Sequence, residues 1–473
     1  MNKKLKKVLA ILLALLSVVP MTGCFAFHTE ARQILPMETE YVPRYSFDFI
    51  GGDDVMPIMG YFGPYGKPFS YNGNKLPDMF SDEMFQLYAD TGINMISHND
   101  NDYATYPSVV KQLLEQGEKY NIGIQVYDTR ILDEAGAQMS LESLDALLNE
   151  YANYPAYCGN YIIDEPGQES YLLATLNGTT IADAAPIFQK FNELDVYGYG
   201  NLLPIISGKE DKYQAYIDEY IESCNPPYLQ YDMYPFEGSA TGHGFVERYF
   251  QNMSMIKASA DANNIPFWGF VQIGSQYNDA GAHFDTNGYY PTKGQTYWNV
   301  GTLLAFGAKG INYFTLVQPY WFAYAQSEPF DFQRNGLIGA WGNKTRWYYY
   351  AQDINKQIAA VDEVLMNSVN KGIIATSNQI RSDLGQCQFL MDGTSWRELK
   401  NVTGEALIGC FNYQGKTALY VVNYDVEYAQ KIQLEFLDEY KVTVIQDAER
   451  TTYTADEVEL VLSAGNGALI VFE

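Results

Sequence analysis

Three strand-like runs of this chain end in carboxylates. One closes on Tyr161-Ile162-Ile163-Asp164-Glu165-Pro166, another on Tyr127-Asp128, and a third on Gln230-Tyr231-Asp232-Met233-Tyr234-Pro235-Phe236-Glu237. Imidazole, amide and aromatic side chains stand at other run ends: His98, Gln272, Gln318 and the Tyr320-Trp321 pair. Cleavage of a glycosidic bond suits this inventory. A carboxylic acid protonates the leaving oxygen, and a second carboxylate acts as nucleophile or base. Aromatic faces stack on sugar rings while amides and acids hold hydroxyl groups. Glu165 is the first choice for proton donor, because it follows an apolar run and apolar surroundings raise a carboxyl pKa toward neutrality.

Asp232 is the first choice for the second carboxylate, with Glu237 and Asp128 behind it. Retention of configuration requires the two carboxyls to lie about 5–5.5 Å apart, and inversion about 6.5–9.5 Å. Asp164 reads either as a sugar ligand or as the residue that orients Glu165. His98 reads as a hydroxyl ligand or as a structural histidine, and Asp128, Tyr234, Gln272, Gln318 and Trp321 as further substrate contacts. Asp100 and Asp102 read as solvated loop acids rather than a calcium site. The four histidines (His28, His98, His243, His283) are scattered and no Cys/His spacing suggests zinc. The expectation is therefore an enzyme without metal or cofactor.

Such side chains need a frame that brings run ends together. Apolar runs at 57–62, 94–98, 123–128, 160–164, 202–206, 229–233, 267–273 and 310–316 alternate with stretches of three- and four-residue apolar spacing. Ser81 and Thr292 stand at helix N-cap positions, and Gly92 and Gly307 follow helix ends. Eight strands with eight helices is the count of an α/β (β/α)8 barrel, whose active site lies at the C-terminal strand ends. A doubly wound sheet would carry a Gly-rich phosphate turn after its first strand, and Gly60-Tyr61-Phe62-Gly63-Pro64 is not one. From about 369 onward the chain reads as strands without helices (406–411, 417–423, 431–436, 440–446, 458–462, 468–472), the pattern of a small antiparallel β-sandwich.

The 473 residues thus divide into a leader (1–23), a tether (24–47), a barrel (48–368) and a sandwich (369–473). The leader has lysines at 3, 4, 6 and 7, an apolar run from Val8 to Leu16 too short to span a bilayer, and small residues up to Gly23-Cys24. That is the layout of an export signal. Export permits a disulfide between Cys387 and Cys410, free buried thiols being the alternative. The formal net charge of −27 repels phosphate backbones and excludes nucleic acid as a natural partner. Aromatic residues are 15% and charged residues only 18%, which excludes disorder for most of the chain.

Two resemblances sharpen this reading. Met21-Thr22-Gly23-Cys24 resembles the lipobox of bacterial lipoproteins, which implies lipidation of Cys24 and a membrane anchor on the extracellular face; plain secretion is the alternative. Residues 56–473 resemble the clan A glycoside hydrolases, of the β-galactosidase and β-glucanase type. The likeness rests on Asp164-Glu165-Pro166 at the fourth strand end, Asp232-Met233-Tyr234-Pro235, Ile265-Pro266-Phe267-Trp268, the run Phe306-Gly307-Ala308-Lys309-Gly310-Ile311-Asn312-Tyr313-Phe314, and Gly342-Asn343-Lys344-Thr345. It implies that Glu165 is the acid/base and that an oligo- or polysaccharide is the substrate. The family's nucleophilic Glu ends the seventh strand, where this chain has Gln272. Two rival readings follow: a degenerate barrel that binds glycan without cutting it, and a solute-binding lipoprotein, which eight βα units and a terminal β-module fit poorly.

Overall fold

The computed structural model describes residues 46–64, 70–71, 74–97, 107–132, 138–168, 171, 179–236, 245–274, 290–318 and 336–473. Eight parallel strands form its centre: β1 (Ile58–Tyr61), β2 (Met95–Ser97), β3 (Gly123–Tyr127), β4 (Tyr157–Asp164), β5 (Gly198–Asn201), β6 (Leu229–Tyr231), β7 (Phe267–Gln272) and β8 (Ile311–Phe314). They pair in the order β5-β4-β3-β2-β1-β8-β7-β6. A single bridge, Leu202 to Tyr231, joins β5 to β6, with the Leu202 N–H donating to the Gln230 carbonyl at 2.9 Å. Each strand is followed by a helix: α1 (Asp82–Asp90), α2 (Pro107–Tyr120), α3 (Leu141–Tyr151), α4 (Ile181–Glu193), α5 (Glu210–Cys224), α6 (Val246–Ala262), α7 (Lys293–Phe306) and α8 (Arg346–Met366). This is the expected (β/α)8 barrel.

Local chemistry sets the helix ends. The Ser81 hydroxyl accepts the Met84 N–H at the start of α1, and Thr292 and Gln295 cap α7 reciprocally. Gly307 ends α7 in the left-handed region at φ 88°.

The fifth strand departs from expectation. It is Gly198-Tyr199-Gly200-Asn201 rather than 202–206, of which Leu202 contributes only the closing bridge. Pro204 breaks the apolar run that mimicked a strand. The true strand hides behind two glycines that the packing requires. A Cβ on Gly200 would lie 2.7 Å from the Tyr220 hydroxyl, and one on Gly198 2.6 Å from the Ile162 side chain.

The barrel interior is aromatic at its base. Tyr228 stacks on Trp268 with centroids 3.9 Å apart, Tyr199 lies 5.2 Å from Tyr228, and Phe47 closes the end edge-on to Trp268. Above this sit buried amides and a serine: Gln125, Gln230, Asn312 and Ser97. Such layered filling makes the barrel a packed core, not a pore.

After α8 the chain builds a seven-stranded antiparallel sheet from β9 (Ser368–Ala375), β10 (Leu399–Thr403), β11 (Ala406–Tyr413), β12 (Lys416–Asn423), β13 (Gln430–Gln446), β14 (Glu449–Leu462) and β15 (Gly467–Phe472). The order is β9-β11-β12-β15-β13-β10, with β14 along β13. The runs at 431–436 and 440–446 are one long strand, β13, whose first part pairs with β10 and second with β15. A short helix, α9 (Asn378–Leu384), interrupts a region expected to be helix-free.

Helix α7 lies between barrel and sheet and is buried from Gly294 to Phe306. Glycines let backbones meet there. A Cβ on Gly409 would collide with the Ala305 carbonyl, and one on Gly294 with the Val426 carbonyl. Cys387 and Cys410 are free and buried, as are Cys158 and Cys224. Cys387 packs in the barrel's core and Cys410 in the sheet's own core, so the permitted disulfide does not form.

Candidate active site

A bulge in β4 builds the site. Register slips between Tyr161 and Ile163, and Ile162 and Ile163 both pack outward against the helices. Tyr161 and Asp164 are thereby turned inward together, the kind of re-aiming that bulges perform. The Tyr161 hydroxyl donates to Asp164 Oδ1 at 2.8 Å and meets the Tyr61 hydroxyl at 2.8 Å. The next residue, Glu165, has φ 44°, a left-handed backbone that costs a non-glycine residue free energy. Its N–H donates to the Asn201 carbonyl at 2.9 Å, which fixes that geometry to β5.

Asn201 links three strands. Its Nδ2 donates to Asp164 Oδ1 at 3.3 Å and to Asp232 Oδ1 at 3.0 Å, while the Glu165 and Asp232 carboxyls are in hydrogen-bond contact. Asp164, Glu165 and Asp232 thus form one cluster at the barrel mouth, each keeping part of its surface open. Among the described residues none of the ion pairs reaches them. Three acids without a cation cannot all ionise. Desolvation first, then the charges of Asp232 and Asp164, push the Glu165 carboxyl up to about 10. Desolvation and Asp164 raise Asp232 to about 7, against the opposing hydrogen bond from Asn201. Burial raises Asp164 as well, with Tyr161 and Asn201 pulling the other way. One proton is therefore held at Glu165 at neutral pH, shared across its contact with Asp232.

An aromatic wall borders the cluster. Phe62, Tyr234 and Phe314 are half-buried, with Phe314 5.5 Å from Phe62, 5.6 Å from Tyr234 and 5.8 Å from Tyr61. Tyr234 thus belongs to the site's surroundings. Gln272 ends β7, and the alternation that places Trp268 and Phe270 inside the barrel turns it inward too. It is fully buried, its Oε1 accepts the Phe236 N–H at 3.2 Å, and among the described residues its Nε2 has no hydrogen-bond partner. Gln318 is buried beyond β8, its N–H donating to Ile338 at 2.8 Å.

Asp128 is not brought into the cluster. It follows the inward Tyr127 and so points outward, where Arg130 Nε donates to it at 2.8 Å and the Tyr151 hydroxyl of α3 also donates. It is spoken for as a buried ion pair rather than a sugar ligand or second carboxylate. His98, Trp321, Tyr320, Glu237, Asp100, Asp102 and Cys24 lie outside the described residues.

Sequence reasoning missed Tyr61, Tyr161 and Asn201. Asn201 was hidden by the misplaced fifth strand. Tyr161 could have been found from two consecutive isoleucines before the acids, since strict alternation cannot bury both on one face. Among the described residues no group of three or more His, Cys, Asp or Glu is arranged to hold a metal ion.

No family model matches the chain, and no curated protein matches it in sequence. Solved structures with a similar course of chain include a β-galactosidase from the psychrophilic Marinomonas ef1, at 10% identity and TM-score 0.47 over 68% of this chain. This chain's match spans 63% of that enzyme's length. Another is AbfB, a family 51 α-L-arabinofuranosidase from Bifidobacterium longum, at 10% identity and TM-score 0.46 over 93% of this chain and 97% of that one. A third is Xylanase10C from Cellvibrio japonicus, at 11% identity and TM-score 0.44 over 68% of this chain and 70% of that one. All three are named as glycoside-cleaving enzymes, and at these similarities the likeness says nothing of this chain's own substrate.

Proposed function

We propose that this protein is a glycoside hydrolase that cleaves O-glycosidic bonds of a neutral glycan, with Glu165 as proton donor. The observation that carries the reading is the Glu165 carboxyl, kept protonated at neutral pH by burial and by Asp232 and Asp164 at the mouth of a β/α barrel. A protonated carboxyl there is a general acid waiting for a leaving oxygen. Asp232 is its partner and Asp164 the residue that orients the pair. The half-buried rings of Tyr234, Phe62 and Phe314 offer apolar faces for sugar rings, with His98, Gln318 and Trp321 as further contacts.

The test is Glu165→Gln, which keeps the shape and removes the proton. Activity on a cleaved oligosaccharide is expected to fall about 10²–10⁴-fold. Full activity of the variant would remove Glu165 from the mechanism. The amide at Gln272 favours a second reading, a barrel that binds glycan without cutting it. Retained binding with no reducing ends released across a broad glycan panel would select it. The chain is further proposed to be exported and anchored through a lipidated Cys24, so that Cys24→Ala would shift it from the membrane to the soluble fraction.

A further inference from the structure

The joint between barrel and sheet holds a cavity of about 520 Å³, within the ~300–1,000 Å³ typical of ligand sites. Its floor is aromatic. Trp298 of α7 lies there with Phe236, which follows β6, at 5.6 Å, and with Tyr424, which follows β12, at 5.5 Å. Its rim is polar, with Gln379 and Asp383 from α9 and Asp425 and Glu427 from the turn between β12 and β13. No lysine or arginine is among the lining residues.

Both halves of this lining lack a partner. Trp298 is only 2% exposed, yet its indole N–H donates to no group among the described residues. Trp347, equally buried, gives its N–H to the Pro291 carbonyl at 3.1 Å. An indole N–H can only donate, and a buried one ordinarily finds an acceptor. The carboxylates have the opposite need. Asp383 accepts Gln379 Nε2 at 2.8 Å on one oxygen and the Tyr424 hydroxyl at 2.9 Å on the other. Asp425 is held in place by the backbone N–H groups of Glu427 and Tyr428, at 2.8 and 2.9 Å. Among the described residues none of the ion pairs reaches Asp383, Asp425 or Glu427. Each keeps lone pairs for further donors.

An ammonium ligand would satisfy the carboxylates and leave the indole N–H unmet, and an anion would do the reverse. Hydroxyl groups both donate and accept, and a saccharide carries them around a ring with an apolar face for an aromatic floor. Resting on the glycosidase reading above for the kind of ligand, we propose that this cavity is a second, non-catalytic saccharide site. The segment from Asp232 to Phe236 runs from the acid cluster to the cavity, and Gln272 at the end of β7 holds the Phe236 N–H at 3.2 Å. A glycan chain seated in the cavity is thereby kept beside the barrel mouth, which raises its effective concentration there without touching the bond-breaking step.

Calorimetric titration of the full chain carrying Glu165→Gln separates binding from cleavage. The probes are short soluble fragments of neutral β-glucan, xylan and galactan, with spermidine as the cationic control. The expected result is a fragment that binds at two equivalents per chain, one of them weakened about tenfold or more by Gln379→Ala combined with Glu427→Ala. Both of those residues are exposed, so the fold is expected to survive their loss. The Trp298 indole N–H resonance, identified by its absence in Trp298→Phe, should shift on saturation. With an active Glu165, the double variant should cleave a 4-nitrophenyl glycoside within about twofold of wild type, while kcat/KM on the parent polysaccharide falls about fivefold or more. A single equivalent, a second one indifferent to both substitutions, an unmoved Trp298 resonance, or spermidine binding in place of the fragments would each overturn the proposal and leave the glycosidase reading intact. Two equivalents bound by a chain whose wild type cleaves none of the panel would overturn the glycosidase reading and uphold the site.

Discussion

Glu165 holds its proton at a cost in stability. The unfolded chain releases that proton near pH 4.3, whereas the folded site keeps it to about 10, so over the interval between them the native state binds the extra proton. Stability associated with this group is fully present below the unfolded value and lost as pH rises through the folded one. Asp232, raised to about 7, adds the same sign of dependence over pH 4–7. An amide in place of Glu165 has no proton to lose. Glu165→Gln is therefore expected to melt about 2–4 °C above wild type at pH 8 and within about 1 °C of it at pH 4. Calorimetry of both proteins across that range checks this; equal melting points at pH 8 would show that the acid cluster carries no strain. Glu165 itself was legible from residue types alone, as an acid closing an apolar run. Its backbone twist and its partners were not, because they depend on where neighbouring strands end.

At the scale of elements, one slipped residue in β4 and one misread strand account for most of what sequence reasoning lost. Periodicity located seven of the barrel strands, but it cannot see a bulge or recognise Gly198-Tyr199-Gly200-Asn201 as a strand when glycine's value lies in the close approach of Tyr220 and Ile162. The same limit applies to Asp128. As a strand-end acid it looked like Asp232, yet alternation after Tyr127 sends it to Arg130 and Tyr151. Asp128 is buried while Arg130 is partly exposed, so Arg130→Ala would strand the carboxylate. The expected loss is roughly 2–4 kcal/mol, at the lower side of the range for breaking buried pairs because solvent reaches the arginine. Urea unfolding measures it. A kcat within about twofold of wild type in the same variant would agree with Asp128 lying outside the reaction, whereas collapse of kcat with stability intact would return it to the site.

On the scale of the whole molecule, barrel and sheet share α7 as a common wall, and that wall was not foreseeable from two runs of pattern read separately. Its glycines mark where backbones touch. Gly409→Ala would place a methyl group against the Ala305 carbonyl, and overpacking of this kind costs about 1–3 kcal/mol or more. The variant is expected to melt several degrees lower, with a shoulder in its calorimetric trace as the sheet detaches first. The change from helix-and-strand alternation to strands alone near 369 was legible, as were the aromatic richness and the acidity. All four described cysteines are buried thiols, spread over three apolar clusters. A membrane-impermeant maleimide is expected to leave them unlabelled in the native protein and to react with all of them in urea; a non-reducing gel shift would indicate a bridge instead.

The ring's weakest join is β5 to β6, closed by Leu202 against Tyr231, and the acid cluster straddles it through Asn201. Thermal breathing of the barrel is therefore expected to concentrate at the acid cluster. Opening of that join is expected to change the spacing of Glu165 and Asp232, because Glu165 is tied to β5 through its own N–H while Asp232 follows β6. Activity should then be the first property lost on warming, several degrees before the fold. Amide exchange at Leu202 should quicken over the same interval, and an added hydrogen bond across β5 and β6 should raise the temperature of peak turnover without moving the melting point by as much.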